Sequence, residues 1–226
     1  MSRHDAAPTS TRRRYLAGVA AAGVAGLAGC GDSSGNGTAT TLDPDEAGEP
    51  VTTAENGLLP APTLGPEDAP VTVMAFEDYA CPHCRDYSLE TFPDIRSEYI
   101  DAGDVRYEFH DLPIPVNQES QRAASAARAV QDTVGNGAFW AYSKSLFENQ
   151  SDLGPSKYAD LASPVGADPD TVRTAAVERS YQATVQADRQ RGVDLGISGT
   201  PGIVVNGSIL EGYSYETVSS AIDDAL

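Results

Sequence analysis

Two cysteines separated by two residues stand where an apolar strand pattern gives way to a helical pattern. Apolar and β-branched residues typical of a buried strand precede them, at Val71, Val73, Met74 and Phe76. Apolar residues at helical spacing follow them, at Leu89, Phe92, Ile95 and Tyr99. Cys81 therefore lies at a helix N-terminus, where unpaired N–H groups and the helix dipole favour an anion. Because the thiolate is the reactive form of cysteine, this arrangement predicts a redox centre at Cys81 and Cys84.

The chain is strongly acidic. Its 226 residues include 33 Asp and Glu against 15 Lys and Arg, which gives a formal charge of −18 at pH 7. This charge excludes nucleic-acid binding, because that function needs a basic surface. Only two of the basic residues are lysines, Lys144 and Lys157. An acidic, lysine-poor surface is typical of proteins that work in molar salt, where the Debye length is about 3 Å. The surface therefore resembles that of an extreme halophile, and the resemblance implies a halophilic archaeon as the source.

The N-terminal residues have the pattern of an export signal rather than of a folded domain. Residues 11–16 resemble a twin-arginine (Tat) export motif, and the apolar run over 16–28 is shorter than the about 20 residues of a transmembrane helix. The following Leu27-Ala28-Gly29-Cys30 resembles a lipoprotein lipobox. We predict a signal peptide over 1–29 and lipid attachment at Cys30, which anchors the chain to the outer face of the cytoplasmic membrane. The alternative is an uncleaved membrane anchor with an incidental cysteine.

Residues 30–63 contain mainly Gly, Ser, Thr, Pro and acidic residues, and they show no helical or strand period. They predict a disordered acidic tether that spans roughly 30 Å. The folded domain is predicted over 64–226. Its strand patterns cover 71–76, 105–110, 203–205 and 208–210, and Asn206-Gly207 predicts a hairpin turn between the last two. A helical region over about 116–196 separates the halves, so the order of elements predicts an α/β sheet with a helical insertion.

From Phe76 to Cys84 the sequence reads FEDYACPHC, and two further motifs accompany this stretch. They are Phe139-Trp140 in the helical region and Gly199-Thr200-Pro201 before the hairpin. On these motifs, residues 70–226 resemble the DsbA-like group of thioredoxin-fold disulfide oxidoreductases. The resemblance implies a thioredoxin fold, which is a four-to-five-stranded mixed sheet flanked by helices, with an inserted helical subdomain. It also implies a reversible redox disulfide between the two motif cysteines and no cofactor.

The resemblance gives each residue of the Cys-Pro-His-Cys motif a role. Cys81 is the exposed sulfur that exchanges with substrates, and Cys84 is its partner further into the helix. His83 can add a positive or hydrogen-bonding group near Cys81. The pair Pro82-His83 resembles that of the strongly oxidising members of the family. The physical reason is that a stabilised thiolate in the reduced form makes the disulfide a stronger oxidant.

Further positions complete the implied site. Pro201 matches the cis-proline of the family, which lies against the disulfide, and Thr200 takes the position whose backbone pairs with substrate chains.

Many relatives carry a buried glutamate six residues before the first cysteine, and this acid relays the proton of the second cysteine. In this chain Ala75 stands at that position. Glu77 would share the same face of the strand. Either Glu77 replaces the relay acid or it is solvated at the turn, and the sequence leaves both open.

These observations predict an exported, lipid-anchored dithiol oxidase that introduces disulfides into exported proteins. Its partners would be exported proteins with thiols or disulfides and an unidentified redox partner, for example a membrane protein. A disulfide reductase or isomerase of the same fold is the alternative within enzymes. A catalytically inert binding domain with a structural disulfide is a further alternative.

A Cu(I)-handling thioredoxin-fold metallochaperone is the alternative from a different class, because soft thiolates bind Cu(I). Such a protein would add a distant metal-binding histidine, and His110 at the end of the second strand is the sole candidate. A structural zinc site needs four ligands, and His83 within the motif would point poorly towards one. We expect His110 to be a polar strand-end residue and Trp140 to be part of the core of the insertion. No metal site is predicted.

Overall fold

The structure is a computed structural model, and it describes residues 57–114 and 117–226. The predicted signal peptide, the lipobox cysteine Cys30 and the tether up to residue 56 lie outside the described residues. Within the described ranges, no helix is long and apolar enough to cross a membrane.

A five-stranded mixed sheet forms the centre of the domain. Its strands are β1 (Thr63–Leu64), β2 (Val71–Glu77), β3 (Val105–Asp111), β4 (Gly202–Val205) and β5 (Ser208–Ile209). Their order in space is β1-β3-β2-β4-β5. Strands β2 and β3 run parallel, whereas the other neighbouring pairs are antiparallel. A parallel pair needs a crossover, which the helix after β2 provides.

Helices surround this sheet. After β2 the chain forms one continuous helix over 82–100, in which α-helical and π-helical segments alternate: α1 (Pro82–Asp86), Tyr87–Thr91, α2 (Phe92–Ile95) and Arg96–Ile100. Between β3 and β4 lie α3 (Glu119–Thr133), α4 (Asn136–Glu148), α5 (Pro155–Ala162), α6 (Pro169–Glu178) and α7 (Gln182–Leu195). Short 3₁₀ turns follow α4 and α5, at Gln150–Asp152 and Ser163–Val165. The last helix is α8 (Tyr215–Asp223). A mixed sheet with a helical insertion is the architecture that the sequence predicts.

The two faces of the sheet contact different helices, because side chains alternate along a strand. On one face, Phe109 of β3 packs with both motif cysteines and with the helices of the insertion. On the other face, His110 stacks on Phe76, with ring centroids 4.7 Å apart. Helix α7 covers this second face, and its Gly192 permits a close approach, because an added Cβ would lie 3.0 Å from Phe76 Cδ1. The sheet therefore separates His110 from the cysteine pair.

The folded domain begins earlier than predicted. Leu59 is buried, and its N–H donates to Thr184 Oγ1 at 3.2 Å. The carbonyl oxygen of Pro60 accepts a hydrogen bond from Arg128 Nη1 at 3.1 Å, and β1 pairs with β3. The prediction of a tether up to residue 63 is therefore wrong for 57–63. This segment is held by backbone hydrogen bonds and by a strand of two residues, and neither of them produces a period in the sequence.

Candidate active site

Cys81 stands at the junction of strand and helix. Strand β2 ends at Glu77, and Cys81 is the N-cap residue of α1 with an extended backbone (φ −84°, ψ 121°). Its N–H donates to the carbonyl oxygen of Asp78 at 3.0 Å, which closes the turn between the two elements. Pro82 begins the helix, where its missing N–H group costs no intrahelical bond. The Cys81 sulfur therefore lies beside the free N–H groups of the first helical turn.

Thr200 and Pro201, which directly precede β4, lie next to Cys81. The peptide bond between them is cis. Gly202, the first residue of β4, pairs with Phe76 near the end of β2. This pairing brings the chain before β4 to the cysteine pair, and the Thr200 carbonyl oxygen lies 3.5 Å from the Cys81 sulfur. The backbone that the resemblance assigns to substrate pairing thus lies next to the first sulfur.

Both motif cysteines are free thiols, and neither side chain is open to solvent. Cys84 is 0% exposed and Cys81 is 4% exposed. The expectation of an exposed Cys81 is therefore wrong for the reduced protein. The Thr200 backbone covers its sulfur, and Gln150 of the insertion donates to the Cys81 carbonyl oxygen at 2.9 Å. The insertion and the loop before β4 thus close around the redox pair.

The environment lowers the pKa of the Cys81 thiol to about 5. The largest cause is a hydrogen bond from the Cys84 thiol, which burial opposes. The side chain of Thr200 and the backbone N–H groups of Cys84 and His83 lower the pKa further. Cys81 is therefore a thiolate near neutral pH, and the thiolate is the form that attacks disulfides and leaves from them.

The Cys84 thiol has the opposite preference. Its pKa is raised far above the ordinary value, first by burial, then by its hydrogen bond to Cys81 and by the charge of Glu77. The N–H of Asp78 donates to the Cys84 sulfur at 3.4 Å and opposes the shift. Cys84 therefore keeps its proton while Cys81 has lost its own. This asymmetry makes Cys81 the better leaving group of the pair.

The side chain of His83 is exposed and is bound by a residue that the sequence did not indicate. His83 Nδ1 lies 2.9 Å from the hydroxyl oxygen of Tyr213. The backbone N–H of His83 helps to lower the pKa of Cys81. The 130 residues between the two partners explain why no local pattern indicated the contact.

Glu77 is a buried acid. It is 3% exposed, and burial raises its pKa to about 8, although Ser88 Oγ donates to its Oε2 at 2.6 Å. The alternative of a solvated Glu77 is therefore wrong. Ala75 lies within the sheet, between Phe109 of β3 and Ile203 of β4. Glu77 also borders a cavity of about 160 Å³, whose aromatic walls are Phe92, Tyr107, Phe109, Trp140 and Phe147.

Asp78 is a second buried acid, and the sequence analysis missed it. It is 1% exposed, and burial raises its pKa to about 6. The backbone N–H groups of Ala80 and Ile114 each donate to its carboxylate at 2.8 Å. Asp78 thereby fixes the turn before Cys81, while its own N–H contacts Cys84. An acid between a buried strand and a reactive cysteine was the signal that could have identified it.

His110 is bound on both ring nitrogens. Nδ1 lies 3.0 Å from Asp188 Oδ1, and Nε2 lies 3.3 Å from Glu108 Oε2. These contacts are on the face of the sheet away from the cysteine pair. The described residues contain no group of three His, Cys, Asp or Glu side chains that could hold a metal ion. His110 is therefore engaged elsewhere, and the metallochaperone alternative is not favoured.

Arg128 is the centre of a buried ionic network that the sequence analysis also missed. Its side chain is 0% exposed and donates to Asp111 Oδ2 and to Asp188 Oδ2, each at 2.6 Å. It donates as well to the Pro60 carbonyl oxygen and to Gln131. The network connects α3 and α7 to the end of β3. Its role is to hold the insertion on the sheet.

Comparison with known proteins agrees with this geometry. The family model described as Thioredoxin matches residues 59–224. The chain belongs to the thioredoxin family. Disulfide bond formation protein D of Bacillus subtilis is 29% identical over 188 residues, which cover 80% of this chain and 84% of that protein. The Na(+)/H(+) antiporter NhaA 1 of Salinispora arenicola is 34% identical over 164 residues, which cover 71% of this chain and 24% of that longer protein.

Among solved structures, oxidised BdbD of Bacillus subtilis has a TM-score of 0.68 and 30% identity. The match covers 73% of this chain and 92% of that chain. The predicted DsbA-like thioredoxin fold is therefore confirmed. The Putative protein-disulfide oxidoreductase of Rickettsia bellii is 27% identical over 169 residues, which cover 72% of this chain and 63% of that protein. Together with the Bacillus subtilis protein, it confirms the predicted enzyme class, a protein thiol–disulfide oxidoreductase.

Proposed function

We propose that the protein is an extracytoplasmic dithiol oxidase that introduces disulfides into exported proteins. One observation carries the proposal: the pKa of Cys81 is lowered to about 5, while that of Cys84 is raised. A stabilised Cys81 thiolate favours the reduced pair, and a pair that prefers to be reduced is a strong oxidant as a disulfide. The name of the Bacillus subtilis relative, Disulfide bond formation protein D, supports this direction.

In the proposed reaction, a substrate thiolate attacks the Cys81 sulfur of the disulfide, and the bond to Cys84 breaks. Cys84 leaves with the electron pair and takes up a proton. The second substrate thiolate then attacks the substrate sulfur of the mixed disulfide, and Cys81 leaves as a thiolate. Two electrons pass from the substrate dithiol to the cysteine pair, and the substrate gains a disulfide. The low pKa of Cys81 assists the second step, because a weakly basic thiolate leaves faster.

Glu77 is our candidate for the group that exchanges the proton of Cys84. Its charge acts on the Cys84 thiol, and burial places its pKa at about 8. A carboxyl group with such a pKa can both give and take a proton near neutral pH. It would protonate Cys84 when that sulfur leaves, and it would accept the proton when the pair is reoxidised. The cavity beside Glu77 is where a proton would be passed on from the carboxyl group.

The cellular setting remains part of the proposal. The lipobox pattern at Cys30 and the twin-arginine pattern at 11–16 support export and lipid attachment. An enzyme anchored at the outer face of the membrane would act on exported proteins with thiols. A redox partner, for example a membrane protein, would then reoxidise its cysteine pair.

Equilibration with glutathione buffers tests the direction of the reaction. We expect a reduction potential well above that of thioredoxin, which is about −270 mV. A value near that of thioredoxin would instead support the reductase alternative.

Two serine variants test the roles of the sulfurs. Cys81→Ser should abolish exchange with dithiols, because the attacked sulfur is lost. Cys84→Ser should keep the Cys81 thiolate and accumulate mixed disulfides with thiol reagents, because the resolving sulfur is missing. Activity that survives in Cys81→Ser would contradict the assignment.

A further inference from the structure

Tyr213 extends from the chain between β5 and α8 to the first turn of the active-site helix. Its hydroxyl oxygen lies 2.9 Å from His83 Nδ1, and the two ring centroids are 6.1 Å apart. The Tyr213 ring also stands edge-on to the ring of Tyr87, at 6.4 Å and 87°. Tyr87 is fully buried, and its hydroxyl is bound by that of Tyr107 at 3.0 Å. The buried Tyr87 therefore supports the Tyr213 ring while the Tyr213 hydroxyl binds His83.

The Tyr213 hydroxyl lies close to the redox pair and keeps its proton. Burial raises the pKa of Tyr213, and the charges of Asp86, Cys81 and Cys84 raise it further. A protonated hydroxyl can donate to His83 Nδ1. The ring hydrogen of a neutral His83 then lies on Nε2, and Nδ1 is no longer available to any other partner.

Several groups other than the His83 ring stabilise the Cys81 thiolate. The groups that lower the pKa of Cys81 are the Cys84 thiol, the Thr200 side chain and two backbone N–H groups, one of which belongs to His83. The contact with Tyr213 fixes the direction of the imidazole, which projects from the same helical turn.

We propose that Tyr213 is a positioning residue that holds His83 Nδ1, keeps the imidazole from binding the Cys81 thiolate and thereby limits the oxidising strength of the disulfide. A freed imidazole could donate a hydrogen bond to the Cys81 thiolate, and a bond to a charged acceptor is stronger than one between neutral groups. It would stabilise the reduced pair. The proposal rests on thiol–disulfide exchange at these cysteines but not on its physiological direction.

The test is Tyr213→Phe, which removes the hydroxyl and keeps the ring on Tyr87. The ultraviolet absorbance of the thiolate gives the Cys81 pKa, and glutathione buffers give the equilibrium constant for oxidation of glutathione. We expect the variant to lower the Cys81 pKa and to raise the equilibrium constant about ten-fold, the effect of one hydrogen bond to a charged group. Adding His83→Ala to Tyr213→Phe should remove this gain.

Two controls separate positioning from other effects. Tyr215→Phe removes a neighbouring hydroxyl that binds Glu98, and it should leave both quantities unchanged. His83→Ala alone should change the Cys81 pKa little, because Tyr213 already holds Nδ1 of the ring. An unchanged or raised Cys81 pKa in Tyr213→Phe would overturn the proposal, as would a large effect of His83→Ala alone. The absolute potential tests the oxidase proposal separately, since the shift between variants does not depend on it.

Discussion

Glu77 and Glu108 are the same residue type on neighbouring strands, and they ionise in opposite ways. Burial raises the pKa of Glu77 to about 8, and its side-chain donor is the neutral hydroxyl of Ser88. The pKa of Glu108 is lowered to about 2, mainly by the hydrogen bond from His110 and further by Arg106, although burial opposes the shift. The two pKa values differ because Glu108 has the cationic donors His110 and Arg106 within hydrogen-bond distance, whereas the donor to Glu77 is a neutral hydroxyl.

The carboxylates next to the two glutamates also differ in whether their hydrogen-bond donors are cationic. Around Glu108, the carboxylates of Asp111 and Asp188 receive hydrogen bonds from the buried Arg128. Around Glu77, the neighbouring Asp78 receives its hydrogen bonds from backbone N–H groups, and its pKa is raised to about 6. A buried acid without a cationic partner reduces stability at neutral pH, and such acids are typical of functional sites. The first region therefore holds the fold together, whereas under the proposed function the second serves the chemistry of the cysteines.

The largest effect should come from the ionic region. Arg128→Met keeps the aliphatic stem. It leaves the buried Asp111 without its cationic hydrogen-bond partner and the partly buried Asp188 with His110. We expect a loss of about 3–5 kcal/mol in the free energy of unfolding, because breaking a buried pair leaves uncompensated charge. Urea unfolding measures it. The control is Arg122→Met on the same helix, whose pairing with Glu119 is partly exposed and should contribute at most about 1 kcal/mol. If Arg128→Met and Arg122→Met lost equal free energy of unfolding, the buried ionic network would not be the group that stabilises the fold.

Glu77→Gln should have an opposite and somewhat smaller effect on stability. A raised pKa in the folded state contributes stability below the ordinary value of 4.5, and that contribution is lost as the pH rises through about 8. Glutamine does not titrate, so the variant should gain on the order of a few kcal/mol over the parent at pH 8 and nothing near pH 4. Unfolding of the disulfide form measures this, because Cys81 then has no proton to lose.

The same substitution should slow reoxidation of the reduced pair, because the proposed acceptor for the Cys84 proton is lost. Glu90→Gln, an exposed change on the helix that carries Cys84, is the matched control and should alter neither stability nor rate. A Glu77→Gln protein that is less stable at pH 8 would show that the carboxylate is solvated or paired.

Local chemistry explains which parts of the molecule the sequence predicts. The helix starts at Asp168 and Ser214 are visible in the sequence, because each side chain accepts a hydrogen bond from the backbone three residues later. The turn at Asn206-Gly207 and the strand–helix junction at Cys81 also depend on neighbouring residues. Each of these features is encoded within about four positions.

Contacts between distant residues could not be predicted in this way. Arg128 occurs in an alanine-rich helical pattern, and its acidic partners lie 17 and 60 residues away. Strand β1 has two residues, too few for a period. The burial of Glu77 depends on how closely the helix over 82–100 and the insertion pack above β2. Only the three-dimensional arrangement shows that this acid, and not residue 75, is available to the cysteine pair.

The smallest effect is expected at His110, on the ionic side of the comparison. Burial lowers the pKa of His110, but its hydrogen bonds to Asp188 and Glu108 outweigh this, so the net shift is upward. The stability that this histidine contributes is therefore fully present below its ordinary pKa of 6.5 and is lost as the pH rises through the raised value. His110→Gln should cost about 1–2 kcal/mol in mildly acidic solution and less in alkaline solution, as measured by urea unfolding at both pH values. The control is His83→Gln at an exposed histidine, which should change the free energy of unfolding less. If the loss in His110→Gln instead grew with pH, the histidine would be neutral in the folded protein, and Glu108 would depend on Arg106 alone.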